Sequence, residues 1–495
     1  MAASGTELPG GGFFRVEQVR ALDAAAIAGA WPGRELMERA GLAAWRLLRQ
    51  RWPEARRIAL VLGAGNNAGD AWVLARWAHL HGCEVELQAT VSAWSGSAGE
   101  VAALAQARGL SAAAISAQGL AAADVVVDAI LGSGSRGAPR AEALAAIMAI
   151  RACARPVLAL DLPSGVDADR GGLLGSVAVQ ADCTLSFVAA KRGLYTGAAA
   201  AHAGQVWVDG LGIDLDPSIT AAVQEASAAL PLRARDAHKG DQGHVLVLGG
   251  NHGMSGAALL CARAAARGGA GRVSLISRPL TVQALPMLVP EIMTPPGGTD
   301  AELAAALQRA DVCVLGPGLA RDDWAQRLYA AVYASGRPCV LDADALRLLA
   351  AQPCAWPQAV ITPHPGEAAA LLGVDITTVQ ADRFAAAAEL HRRYAATVVL
   401  KGNGSLIHGA AGTALCRAGN PGMASAGMGD VLAGLLAALR AQGLAAQPAA
   451  AAAVYMHARS GDRLAAQRGE RGLLASDIIE AWQEDLNPCS ADPGP

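Results

Sequence analysis

The segment Ile58–Asp70, IALVLGAGNNAGD, sets five aliphatic residues in front of glycines at 63, 65 and 69. An unbroken apolar run of that length reads as a strand buried on both faces. The glycines permit a tight turn into a helix expected over Asp70–His81 and stopped by Gly82. Such a strand-to-helix turn offers free backbone N–H groups and a positive helix end, which suit a phosphate. The spacing also fits a Gly-x-Gly-x-x-Ala dinucleotide turn. That reading requires an acid at the end of the next strand, whereas Val85–Thr90 ends in Ala89-Thr90, with Glu84 just before it and Glu86 near its start. A βα turn without a ligand is the plain alternative.

Working outward, a helix is expected over Leu36–Gln50, and further strands at Val125–Val127, Val157–Leu160, Thr184–Phe187 and Val206–Val208. Strands alternating with helices describe βαβ units around a parallel sheet. A second series has strands at Val245–Leu248, Val273–Ile276, Val312–Leu315, Val340–Leu341, Val360–Thr362 and Val398–Leu400. The expected organisation of the 495 residues is therefore two α/β domains, 13–215 and 234–487. A proline-containing linker, 216–233, joins them, and a disordered tail covers 488–495.

Composition narrows the class. Hydrophobic residues make up 53% and charged residues 17%, enough for large cores. The formal charge, 40 − 43 = −3, gives no basic field for nucleic acid or an anionic membrane. The nine cysteines form no CxxC pair, and the start of the chain has no secretory pattern. The most apolar stretch, 443–457, is broken by Pro448 and too short to span a bilayer. A cytoplasmic protein with no nucleic-acid or membrane partner is expected. Only three lysines occur, Lys191, Lys239 and Lys401, in a chain that uses arginine everywhere else. Lysine is then either incidental or required for its compact, mobile ammonium.

Two polar clusters follow later strands of the first half: Asp128-Ala-Ile-Leu-Gly132-Ser133-Gly134 and Asp161-Leu-Pro-Ser164-Gly-Val-Asp167. Carboxyl ends of parallel strands share one crevice, so Asn67, Asp128, Asp161 and Ser164 can converge there. Their amide, carboxylate and hydroxyl oxygens are hard ligands that suit a group-1 or group-2 cation. Alternatively each aspartate caps a helix.

With LMERAG (36–41) and TLSFVAAKRGL (184–194), these motifs resemble the epimerase domain of the bifunctional NAD(P)H-hydrate repair enzymes, over about residues 13–212. The resemblance implies a Rossmann-like three-layer sandwich that interconverts R and S hydrates of NADH or NADPH (NADHX, NADPHX) with a potassium ion. By motif, Asn67, Asp128 and Ser164 hold potassium and Asp161 transfers the proton. Substrate contacts fall to Asn66, Asn67, Ala68, Gly69 and Asp70, to Gly132, Ser133, Gly134, Ser135, Arg136, Gly137 and Ala138, and to Asp161. The chain departs from the family's usual GNNGGDG at Ala68 and Ala71, where a methyl is expected to narrow the turn.

In the second half, GNPGMASAGMGDVLAG (419–434) is the strongest chemical signal. Small residues before Asp430 let the chain turn sharply into a helix, presenting N–H groups to an anion and a carboxylate to an attacking hydroxyl. This half resembles the ribokinase-like superfamily. With HKG (238–240), TPHPGE (362–367) and LKGNGS (400–405) it resembles the ADP-dependent NAD(P)H-hydrate dehydratases, over about 234–485. The resemblance implies dehydration of the S hydrate at the expense of ADP with magnesium, releasing AMP and phosphate. Asp430 would be the catalytic base; Ala257, Gly318, His364 and Asp430 would face the hydrate; and Lys401, Gly402, Asn403, Gly404, Ser405 and Gly429 would face the nucleotide. Family members are often oligomeric, so a homo-oligomer is expected, with the alanine-rich helix around 445–458 suited to close packing. The competing reading is a hydroxymethylpyrimidine- or thiazole-type kinase fused to a non-catalytic nucleotide-binding module.

Overall fold

The computed structural model describes residues 11–29, 31–214, 219–228 and 230–487. The chain divides between Gln224 and Glu225 into two units. In the first lie strands β1 (Gly12–Phe13), β2 (Arg57–Leu62), β3 (Glu84–Ala89), β4 (Ala112–Ala113), β5 (Val125–Ala129), β6 (Val157–Leu160), β7 (Cys183–Phe187) and β8 (Gln205–Asp209). A short strand, β9 (Val223–Glu225), falls inside the segment expected to be an unstructured linker. Its Val223 and Gln224 pair antiparallel with Phe13 and Gly12. Residues 216–218 and 229 of that segment, and the expected tail 488–495, lie outside the described residues.

The main sheet of the first unit is parallel, in the order β4-β3-β2-β5-β6-β7-β8. Alternation within β2 explains why both faces are covered. Ile58, Leu60 and Leu62 enter one apolar core with the helices Gly33–Arg51 and Asn66–Leu80. Ala59 and Val61 enter another with Leu120, Ile147 and Ile150. Strand order reverses between β2 and β5, and such a switch point opens a crevice at the strands' carboxyl ends.

The second unit contains β10 (His244–Leu248), β11 (Arg272–Ile276), β12 (Val312–Leu315), β13 (Cys339–Leu341), β14 (Ala359–Ile361), β15 (Thr397–Leu400), β16 (Ser405–Gly409) and β17 (Gly412–Cys416). Their order is β17-β16-β15-β14-β13-β12-β10-β11; β10 to β15 are parallel, and β16 and β17 run antiparallel. Here the switch lies between β10 and β12. The helices Ser255–Arg267, Met428–Ala441 and Ala446–Arg468 pack over one core. In the last of these, Ala449, Ala450, Ala452 and Ala453 are buried within their own unit, so the face that looked available for a subunit contact is already covered. Among the described residues no helix is long and apolar enough to cross a membrane.

Candidate functional sites

A cavity of about 620 Å³ opens at the β2/β5 switch of the first unit. The chain enters it through Gly63, whose backbone abuts the Ile130 carbonyl so closely that a Cβ would lie 1.8 Å from that oxygen. Asn66, Asn67, Asp70, Gly132, Ser133, Gly134, Ser135 and Asp161 all line the cavity. Ala68, Gly69, Arg136, Gly137 and Ala138 do not. Ala68 and Ala71 are fully buried in the core behind the helix Asn66–Leu80, so their methyls face away from the cavity and leave the turn open. Gly69, by contrast, lies against Met37, whose Sδ a Cβ would approach to 2.3 Å.

Asp161 is held from two sides in this cavity. Lys191 Nζ stands 2.8 Å from its Oδ1, and Ser133 N–H donates to its Oδ2 at 2.7 Å. Burial pushes this carboxyl up, but the Lys191 ammonium and the Ser133 bonds outweigh it and hold the pKa below the ordinary value. Two further carboxyls behave oppositely. Asp70 is pushed well up by burial and by the charges of Asp161 and Asp23. Asp23 is raised by burial, with Lys191 partly offsetting it. The cavity thus holds one carboxyl biased to the anion and two biased to the acid, a division of the kind that separates acid from base roles.

Beneath it, Asn67 Nδ2 donates to the carbonyls of Leu131 and Leu160, both at 3.0 Å, and its buried Oδ1 has no hydrogen-bond partner. Asp128, at the end of β5, accepts from Ser164 N–H at 2.7 Å, Ser164 Oγ at 2.6 Å and Ile130 N–H at 3.3 Å. It caps no helix, and Asp161 caps none either. Burial lifts the Asp128 carboxyl to about 6. An orphaned amide oxygen, together with a buried carboxylate held by neutral donors alone, suits a hard cation.

In the second unit, β13, β14 and β15 deliver Asp342, Thr362–His364 and Lys401 to one place. Lys401 Nζ lies 2.7 Å from Asp342 Oδ1 and 3.9 Å from Glu367 Oε2, and Thr362 Oγ1 donates to the same Asp342 oxygen at 2.8 Å. The helix Met428–Ala441 points its N-terminus at this group, with Gly427 at φ +90° providing the sharp entry. A Cβ on Gly429 would stand 3.2 Å from both Asp342 Oδ2 and Lys401 Nζ. Asp430 sits in that first turn, its carboxyl raised to about 7 by burial and by the Asp342 charge, with Lys401 opposing. A base poised near neutrality follows.

His364 caps the helix Pro365–Leu372, its Nδ1 accepting from Gly366 and Glu367 N–H at 3.0 and 3.3 Å, while Glu367 accepts from His364 N–H at 2.9 Å. Ala257 and Gly318 meet at the β10/β12 switch: a Cβ on Gly318, where φ is +59°, would come 3.3 Å from Ala257 Cβ. Gly402 to Ser405 form the turn between β15 and β16, closed by Gly402 N–H to Ser405 Oγ at 3.3 Å. Buried Arg383 donates to the carbonyls of Leu400 and Lys401, at 3.2 Å each, and so anchors this turn from behind.

Fold and sites together define a two-domain α/β enzyme with a carboxylate and a lysine at the strand ends of each half. Family models for YjeF-related protein N-terminus and for NAD(P)H-hydrate dehydratase match residues 33–193 and 245–484. The chain is 43% identical over 487 residues to the bifunctional NAD(P)H-hydrate repair enzyme Nnr of Coxiella burnetii, covering 96% of this chain and 99% of that one. Against the Escherichia coli protein of the same name identity is 40% over 475 residues, covering 92% and 90%. It belongs to the family of bifunctional NAD(P)H-hydrate repair enzymes. Among solved structures, the ADP/ATP-dependent NAD(P)H-hydrate dehydratase of Bacillus subtilis, co-crystallised with ATP and Mg2+, is 28% identical, covering 52% of this chain and 94% of that one, with a TM-score of 0.47.

Sequence reasoning left several of these residues without a role. Lys191 lies inside TLSFVAAKRGL and Asp342 inside LDADAL (341–346), directly after the strand Val340–Leu341; lysine scarcity points at Lys191, but neither stretch gives its residue a role. Glu367 closes the TPHPGE motif, in which His364 is the residue with the more evident chemistry. Arg383 and Asp23 carried no signal, since each is one of many like residues in an ordinary helical stretch.

Proposed function

We propose that the first unit interconverts the R and S hydrates of NADH and NADPH and that the second dehydrates the S form with ADP. What carries this reading is the presence, in one chain whose relatives match it end to end, of two candidate bases at separate crevices: Asp161 beside Lys191 and Asp430 beside Lys401.

In the first unit the Asp161 carboxylate takes the proton of the ring hydroxyl as the bond between the hydroxyl-bearing carbon and the ring nitrogen opens, the carbon becoming an aldehyde and the nitrogen keeping the electron pair. The nitrogen then adds back to the other face and Asp161 returns the proton to the oxygen, giving the other epimer. Potassium would be held by Asn67, Asp128 and Ser164. When bound it supplies a fixed positive charge that offsets Asp128.

In the second unit Asp430 removes the proton of the ring hydroxyl as that oxygen bonds to the β-phosphorus of ADP, and the P–O bond to AMP breaks. The C–O bond then breaks; phosphate and a proton leave, and the ring double bond is restored. Lys401 and the N–H groups of the helix Met428–Ala441 face the charge that develops on the phosphoryl oxygens. A magnesium ion would enter with the nucleotide diphosphate. That ion would neutralise diphosphate charge. His364, Ala257 and Gly318 would shape the wall facing the hydrate, and Gly402–Ser405 with Gly429 the wall facing the nucleotide.

Self-association has a surface to use: Leu280, Met287 and Leu288 on the helix Pro279–Leu288 are 78%, 88% and 63% exposed. Sedimentation of the full chain tests it, and a purely monomeric protein would end that expectation.

The deciding experiment follows absorbance at the reduced-nicotinamide band with mixed R and S NADH hydrates, magnesium, and ADP or ATP. Complete recovery of NADH with AMP as product supports both activities. Formation of ADP from ATP without recovery would favour the kinase reading.

A further inference from the structure

Three non-glycine residues lining the first cavity hold backbone that L-amino acids seldom adopt: Leu211, at φ +54° beyond β8, and two that each sit at the centre of a tight turn. Asp161, at φ +65°, follows β6, and Val188, at φ +71°, follows β7. Around each, the flanking residues close a three-residue ring: Leu162 N–H to Leu160 O at 2.7 Å and Ala189 N–H to Phe187 O at 2.9 Å. Positive φ with that hydrogen bond is the rare, strained form of γ-turn. For a β-branched residue such as Val188 it is an outlier. Such turns persist only where the surroundings over-determine them, and they gather at functional sites.

One side chain touches both. Lys191 Nζ stands 2.8 Å from Asp161 Oδ1, the centre of the first turn, and donates at 3.0 Å to Phe187 O, the start of the second, and at 3.0 Å to Ser186 Oγ. The side chain is 1% exposed, so no water can take over these bonds. Ser133 N–H holds the other oxygen of Asp161. Lining the same cavity are Asp23, Asp70 and Arg20, and none of them bridges the two turns. A lone buried ion pair is weak evidence of purpose. A three-way tie between two strained turns, one of them bearing the candidate base, is a device. It also explains the survival of lysine in an arginine-rich chain. An ammonium sends three N–H bonds in different directions from one atom, which a planar guanidinium cannot do.

We propose that Lys191 is the positioning residue of the first-unit site: by bridging the γ-turns at Asp161 and Val188 it fixes the Asp161 carboxylate, as an anion, toward the hydrate. The proton Asp161 accepts goes back to the other epimer, so the ion pair is unchanged after turnover. The inference rests on the epimerase reading of this unit.

The test measures exchange of purified R and S NADH hydrates by the full chain without nucleotide, with Lys191→Ala, Lys191→Met and Lys191→Arg. Loss of preorganisation is expected to lower kcat about 100-fold with KM within about threefold. Propylammonium should restore Lys191→Ala at least about tenfold where tetraethylammonium does not, and Lys191→Arg should stay as slow as Lys191→Met. Dehydration of the S hydrate with ADP should be unchanged in all three. If Lys191→Ala fails to fold, Lys191→Met, which keeps the volume, decides the matter. Exchange within about threefold of the unaltered chain in any folded variant, or no difference between the two ammonium salts, would overturn the proposal. Absence of exchange in the unaltered chain would instead overturn the epimerase reading.

Discussion

At Asp430 burial and the Asp342 charge act in the same direction, and the carboxyl is held at about 7. A base must be ionised to accept a proton, so kcat/KM for dehydration should rise with pH through about 7 and level off above it. Asp342→Asn removes the larger of the two carboxylate charges that raise it, Asp344 supplying the other, and should move that limb toward acid; a limb that stays put would deny the coupling. Asp430→Asn should lower dehydration about 1,000-fold while leaving epimer exchange intact. Gly429→Ala places a methyl 3.2 Å from both members of the Asp342–Lys401 pair. The helix itself gains from the exchange, so the expected outcome is a stable protein with dehydration slowed about 10- to 100-fold, checked by a melting curve beside the assay.

At the scale of elements, the strand-to-helix turn after β2 depends on Gly63, because a side chain there would meet the Ile130 carbonyl at 1.8 Å. Gly63→Ala should destabilise the first unit by about 2–4 kcal/mol, read as a lower denaturation midpoint. A midpoint within error of the unaltered protein would show that the turn tolerates the shift. Most strands were legible because residues buried on both faces read as unbroken aliphatic runs, as in Ile58–Leu62 and Val245–Leu248. The helix Val16–Gly29 was not legible: it buries only Val19 and Leu22, too few for a helical stripe, yet it brings Asp23 and Arg20 to the cavity. The hairpin of β16 and β17 was not legible because its two-residue turn, Ala410-Ala411, carries none of the Asn-Gly or Asp-Gly signals of a tight hairpin. At the sites, individual motifs named the aspartates, but which lysine meets which carboxylate depends on strand order, and no local pattern records that.

At the scale of the whole molecule, each unit has its own hydrophobic cores and its own switch-point crevice. The activities should therefore fail separately. With mixed hydrates and ADP, Asp161→Asn should stop NADH recovery near the S fraction, whereas Asp430→Asn should give no recovery while R and S still exchange. A single substitution abolishing both would contradict the separation. Joining two units in one polypeptide also fixes stoichiometry. Every molecule synthesised brings one site of each kind, so expression level cannot change the ratio of the two catalysts. How fast the R pool drains relative to the S pool is then set only by turnover per site, and a lesion that slows one half cannot be offset by making more of that half alone.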